Sequence, residues 1–346
     1  MRRVIMAVAI IFALAVPVGA MEFTAPSVPE SGANYLSDEP ETFAEGLWSI
    51  LQEAIAYLHP SLAEAAGICG GLIGIQLLCV LIQNFPGNSK RAVQLAMTLA
   101  IATLLLRPAN AMIQLGIKTV TELSEYGKLL LPVMTAAMAA QGAGVSSTAL
   151  YTGTAIFNAL LCALISNLIV PVVYGYLGLS VANSAIGENI LQKLRDLLKW
   201  FMTWSLKIVL YVFTGYMTIT GVVSGSADAM AIKATKLTIS GMVPVVGSIL
   251  SDASETILVG AGVMKNAVGV YGMLAILAVW IGPFVRIGVQ YILLKITAGI
   301  CSAIGGKTSV KLIDDFGKAM GILLGMTSAV GLLLLISTAC FMKGVG

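Results

Sequence analysis

Beyond residue 65 the chain is a series of long apolar runs with short polar interruptions, and the run lengths carry the reading. Ala66 to Gln83 is apolar between Glu64 and Lys90-Arg91, long enough to cross a bilayer core as a helix. Gly67/Gly71 and Gly70/Gly74 stand four apart on it and offer a face for close helix approach. Ala92 to Leu106 lies between Arg91 and Arg107. It covers only about 23 Å as a helix, so it crosses only if both arginines snorkel to the surfaces. Residues 108 to 127 read as interfacial, because Lys118, Glu122 and Glu125, with Lys128 just beyond, alternate with apolar positions.

From Leu129 to Gly187 no residue is charged. A single helix of that length would measure about 88 Å, too long for one crossing. Gln141 to Ser147, with Gly142 and Gly144, is the natural break. The piece before it, Leu129 to Ala140, contains Pro132 and reads as a half-helix or re-entrant element. The piece after it, Leu150 to Val181, contains Pro171 and reads as a kinked helix or a pair of segments. Residues 186 to 199 are amphipathic, with Ile190, Leu191, Leu194 and Leu198 on one face. They suit a helix along the membrane surface, with Trp200 and Trp204 at headgroup level. Phe201 to Val223 is a further span.

The same order then recurs. Ala185-Ile186-Gly187, Lys193-Leu194 and Asp196 are matched by Ala303-Ile304-Gly305, Lys311-Leu312 and Asp314 at the same spacing. Pro132 and Pro171 stand as far apart as Pro244 and Pro283. The second copy has a short element around Pro244, a polar break at Asp252 and Glu255, a run to Pro283, a surface stretch from Gly305 to Lys318, and a last span from Met320 to Met342. Fixed-period similarity of this kind implies a duplicated module. In transporters such duplications place a pathway between the copies.

The start of the chain differs. Arg2-Arg3, an uncharged run from Val4 to Val16 and the exit Val18-Gly19-Ala20 have the form of a secretory signal with cleavage after Ala20. Residues 21 to 65 contain eight acidic residues and no Lys or Arg, as in an exported segment. Thr42 and Glu45 fit a capping box. Phe43, Leu47, Ile50, Ala54 and Leu58 behind it outline an amphipathic helix, outside the cytoplasm, that docks on a partner or on the rest of the chain.

Composition fits a membrane class. The 346 residues are 58% hydrophobic and 11% charged, against about a quarter charged in soluble domains. Five cysteines lie in apolar runs without a CxxC and read as packing residues. The single histidine, His59, excludes His-dependent proteolysis and multi-His metal sites. Gly305-Gly306-Lys307-Thr308 resembles the end of a phosphate loop, but Cys301 stands where the first glycine belongs. No cofactor, metal or catalytic residue is assigned, and basic clusters suited to nucleic acid are absent from the sequence. The candidate pathway or interface residues are the four prolines Pro132, Pro171, Pro244 and Pro283, with Asp252, Glu255, Arg286 and Lys295. Charge at membrane depth costs about 3 kcal/mol at mid-span, so such groups face protein or water.

One stretch is specific beyond hydropathy. Gly215-Tyr216-Met217-Thr218-Ile219-Thr220-Gly221 leads through Gly225-Ser226-Ala227-Asp228-Ala229 and Lys233-Ala234-Thr235-Lys236 to Ser240-Gly241-Met242-Val243-Pro244-Val245-Val246-Gly247 and Ser251-Asp252-Ala253-Ser254-Glu255-Thr256. This wording resembles the stage III sporulation protein AE family of endospore-forming bacteria. The resemblance implies a permease-like, multi-pass protein of the mother-cell membrane facing the forespore. Its implied partners are other subunits of a stage III complex, including a secretion-type ATPase and ring-forming proteins, and the bilayer. The implied role is a feeding or secretion conduit. The fold expected is all-α: a polytopic helical membrane protein with an internal duplication and short Pro-bearing broken or re-entrant helices. Its expected divisions are a signal (1–20), an exported acidic segment (21–65), two leading spans (66–127), module A (128–223), a connector (224–239) and module B (240–346). The competing readings are a self-sufficient secondary transporter of a small solute and a structural membrane scaffold.

Overall fold

The computed structural model describes the backbone of residues 25–36, 42–83, 90–186, 191–242, 247–305 and 307–343, with side chains except at 83, 90, 221–265 and 307–308. The signal-like residues 1–20 lie outside them. All regular secondary structure among the described residues is helical, with no strand. A short helix, α1 (Glu30–Ala33), precedes α2 (Phe43–Gln83), α3 (Lys90–Ala140), α4 (Gly144–Leu164), α5 (Val170–Ile186), α6 (Gln192–Met242), α7 (Gly247–Ile304) and α8 (Lys307–Lys343). Among the described residues, six helical segments are long and apolar enough to cross a membrane, α4 and α5 counting as one.

The helices are longer than the apolar runs predicted. The amphipathic helix at 43–58 and the first span are one helix of 41 residues with Pro60 inside it. Ser61 Oγ donates to the Tyr57 carbonyl at 2.9 Å, next to the carbonyl of Ala56 that Pro60 leaves without its helical donor. Pro132 lies within the 51-residue α3 rather than in a re-entrant fragment. Pro283 lies within the 58-residue α7. Asp252 and Glu255, where a break was expected, lie within the helix that starts at Gly247, and Pro244 lies outside the described residues. The two surface stretches are likewise the first turns of α6 and α8, continuous with their spans. Proline costs a helix one hydrogen bond and a clash, which neighbouring helices can offset.

Pro171 is handled differently. A π-helical segment, Ile165–Ile169, joins α4 to α5 just before it. The Val170 amide donates to the Ile165 carbonyl, five residues back. The extra residue opens the ladder where Pro171 has no N–H to give. The turn expected near Gly142 is present: Gly142 has φ +87° between α3 and α4. Gly305 has φ +115° between α7 and α8. Both angles favour glycine, which has no Cβ to clash.

The α7–α8 pair forms an antiparallel hairpin at the centre. Gly331 faces Trp280 and Gly321 faces Tyr291, which fixes one register along its length. α2 and α3 form a second hairpin against it, and α4, α5 and α6 close the other side of α8. Side chains of Leu72, Ile113, Leu123, Phe316, Met326 and Leu333 fill one continuous core. Ile50, Tyr35, Leu274 and Ala278 form a smaller one, where the N-terminal segment meets α7. Polar side chains link helices inside: Thr154 Oγ1 donates to Ser337 Oγ at 2.9 Å, and Asn158 Nδ2 to Ser124 Oγ at 3.0 Å. Large apolar groups such as Ile55, Leu78, Leu99, Ile156, Tyr211 and Ile219 point outward. An apolar exterior over internal hydrogen bonds suits lipid as solvent.

The helix contacts are close where glycine allows them. A Cβ at Gly153 would meet the Tyr216 ring, whose hydroxyl donates to the Ala149 carbonyl at 3.0 Å. Of the predicted glycine face on α2, only Gly71 is close to another helix, where an added Cβ would come to 3.0 Å from Leu104 Cδ2; at Gly67, Gly70 and Gly74 it would meet open space. Overpacking at a tight contact costs about 1–3 kcal/mol. Gly153→Val should therefore lower the melting temperature of the detergent-solubilised protein, whereas Gly175→Ala, at an open position, should leave it unchanged or raised. Scanning fluorimetry of the two variants checks this.

Candidate functional site

Several helix ends gather at one end of the bundle. Gln76 of α2 donates from Nε2 to the Gly305 carbonyl and accepts from Ser309 Oγ at 2.6 Å. Thr98 of α3 reaches the Ser184 carbonyl of α5 at 3.4 Å, and Lys311 Nζ donates to Gln192 Oε1 at 2.7 Å. This end carries Arg91, Lys193, Arg195, Lys199, Lys311 and Lys318. Glu30, Glu45, Glu53 and Glu64 lie towards the other end.

Just inside the basic end lies a charged knot. Arg195 of α6 is 1% exposed and Asp315 of α8 is 0% exposed, and Nη1 of Arg195 bonds Oδ2 of Asp315 directly. Tyr176 of α5 donates its hydroxyl to Asp315 Oδ1 at 3.3 Å. Lys318 bridges both carboxylates of α8, at 3.1 Å from Asp315 and 2.8 Å from Asp314. Lys295 of α7 completes the group at 2.6 Å from Asp314. Four helices are therefore tied by one network. An isolated buried charge is very costly, and pairing with hydrogen bonding is what makes it tolerable.

A cavity of about 300 Å³ opens beside the knot between α6, α7 and α8. Lys199, Lys207, Lys295 and Lys318 line it, together with Tyr291 and Gly321. A larger cavity of about 530 Å³ lies towards the acidic end. Tyr35, Tyr57, Glu64, Lys118, Pro283 and Arg286 are among its lining. There Arg286 pairs with Glu64 at 3.1 Å, both half-exposed. The Tyr35 and Tyr57 rings lie 5.2 Å apart, and burial, then Tyr57 and Glu53, push the Tyr35 hydroxyl up to about 12. Tyr35 is thus a neutral hydrogen-bonding group across the physiological range. No group of three or more potential metal-ligating side chains occurs among the described residues.

A model of the family described as "Stage III sporulation protein AE" matches residues 37–344. The chain belongs to that family. It is 20% identical over 302 residues to the stage III sporulation protein AE of Bacillus subtilis (strain 168), covering 86% of this chain and 75% of the relative. No solved structure matches it. The chain is thus a multi-pass, all-α membrane protein of a sporulation family.

Within this member of the stage III sporulation protein AE family, the sequence candidates separate. Pro283 and Arg286 share the larger cavity, and Lys295 lines the smaller one. Pro132 and Pro171 line neither of these two cavities. Pro244 and the side chains of Asp252 and Glu255 lie outside the described residues. The sequence reading missed Arg195, Asp315, Tyr176 and Lys318. A signal existed: Arg195 is in line with Leu191, Leu198 and Met202 on one helical face, and Asp315 with Leu312, Ala319 and Ile322. A charge inside an apolar stripe calls for a buried partner.

The two ends should respond differently to substitution. Lys318→Met removes the cation shared by Asp314 and Asp315, and should cost about 1–3 kcal/mol, as for charged hydrogen bonds. Glu64→Ala breaks only the exposed pair with Arg286 and should cost less than about 1 kcal/mol. Urea titration of the detergent-solubilised protein measures both.

Proposed function

We propose that this protein is the permease-like membrane component of a mother cell–forespore conduit. The observation that carries the reading is the family match over residues 37–344, in a chain with six potential membrane-crossing segments. The two cavities support a passage role over a plain anchor. They indent α7 at Gly282 to Arg286 and again at Tyr291 to Lys295, centres about 13 Å apart along the helix, less than half of a bilayer core. The positions fall on opposite sides of α7 at 100° per residue, so these two cavities indent the protein from different directions. A conduit subunit that opens only with its partners has this form.

The basic end is cytoplasmic on the positive-inside rule, and the acidic N-terminal end faces the space between the two cells. The site is the mother-cell membrane. The partners are other stage III complex subunits, a secretion-type ATPase on the basic side and ring-forming proteins on the acidic side. The repeated Lys-Asp wording begins α6 and α8, whose first turns lie side by side, and this supports two modules related by duplication.

The test pairs reconstitution with affinity capture. In liposomes the purified protein alone should leave small-solute gradients intact. Captured from sporulating cells, it should bring the ring-forming proteins and the ATPase with it. Solute flux by the protein alone would establish a secondary transporter instead, and capture without either partner would overturn the conduit reading.

A further inference from the structure

We propose that the lysine-lined cavity between α6, α7 and α8 is a binding site for a phosphate-bearing anion. Its charge is the first reason. Arg195, Lys295 and Lys318 share Asp314, Asp315 and, at 3.9 Å from Arg195, Asp196. Lys199 and Lys207 have no ion-pair partner among the described residues, yet both line the same cavity. The carboxylates are therefore taken up by the knot, and the two α6 lysines remain as uncompensated charge around an accessible space. Lysine ammoniums are point-charge donors well suited to phosphate oxygens.

Shape is the second reason. Lys199, Thr203 and Lys207 recur every four residues on α6, and Lys318, Gly321 and Gly325 follow on α8, so three helix faces converge on one space. Gly321 lets the Tyr291 ring pack against α8 at the edge of that space. A Cβ at Gly321 would come within 3.2 Å of the Tyr291 ring. About 300 Å³ is the lower end of small-ligand pockets, which fits a phosphate headgroup or a small phosphate.

Position is the third. Trp200 and Trp204 stack 5.5 Å apart on the same part of α6, and they are 57% and 46% exposed. Paired exposed tryptophans beside lysines are the chemistry of a membrane–water interface. At that depth a lipid phosphate and a soluble phosphate can both reach the cavity.

The experiment uses the full protein in phosphatidylcholine nanodiscs, with three probes: phosphatidylglycerol added to the disc, inorganic phosphate, and pyrophosphate. Native mass spectrometry counts bound lipid, and thermal melts report stabilisation. Native protein should bind at least one probe saturably. The double variant Lys199→Gln/Lys207→Gln should bind about thirtyfold more weakly, from roughly a factor of five to six per lysine at an anionic surface. Lys199→Arg/Lys207→Arg should retain binding, and Lys128→Gln, at an exposed position outside this cavity, should leave binding unchanged. Response to phosphatidylglycerol alone identifies a lipid headgroup; response to phosphate or pyrophosphate identifies a soluble anion. Equal responses from the native protein and the glutamine variant, or no response to any probe, would overturn the assignment.

Discussion

Burying an arginine and an aspartate against each other constrains this fold more than any other contact. Arg195 and Asp315 are almost wholly enclosed, so neither can be left alone without a desolvation penalty of several kcal/mol. The pair fixes how α6 sits against α8. Through Tyr176 and Lys318 it also fixes α5, and through Asp314 and Lys295 it fixes α7. Apolar helices in lipid have little hydrophobic drive to select one register over another. A set of charges that must meet supplies that selection. α5, α6 and α7 then take their height against α8 from the knot, and so does the lysine-lined cavity beside it.

A second constraint acts along the helices. In a bilayer each backbone amide needs a partner, so the chain keeps its helices running and places proline where the loss can be absorbed. At Pro171 the absorption is a π-helical segment, and at Pro60 a serine hydroxyl lies one residue along. The glycines that bend the chain, Gly142 and Gly305, sit in the connections. Helices of up to 58 residues exceed a bilayer's thickness, so they tilt or project, and their polar turns form the walls of the cavities.

Much of the fold was legible because apolar run length and turn chemistry are local properties. The runs after residue 65, the turn at Gly142 and the disturbance at Pro171 could all be read directly. The helix ends could not. Lys118, Glu122 and Glu125 read as interfacial in isolation, yet Glu122 accepts from Ser31 of the N-terminal segment and pairs with Lys118 at 3.5 Å, so the helix passes straight through them. The first turns of α6 and α8 were misread for the same reason. Their charges looked like the polar face of a surface helix, because Arg195 and Asp315, which bury each other, lie 120 residues apart in the chain. Of the candidate site, Arg286 and Lys295 were visible as charges in apolar sequence. Their partners Glu64 and Asp314 required the packing.

The central claim is that the Arg195–Asp315 pair positions the helices rather than merely decorating them. A double-mutant cycle tests it most directly, using Arg195→Met, Asp315→Leu and the combined variant, each measured by equilibrium unfolding in detergent. Breaking a buried pair from one side costs about 3–5 kcal/mol, whereas replacing both partners with apolar groups of similar volume is often near neutral. The account predicts two strongly destabilised single variants and a double variant that recovers most of the loss. Single losses that are small, or that simply add in the double variant, would contradict it.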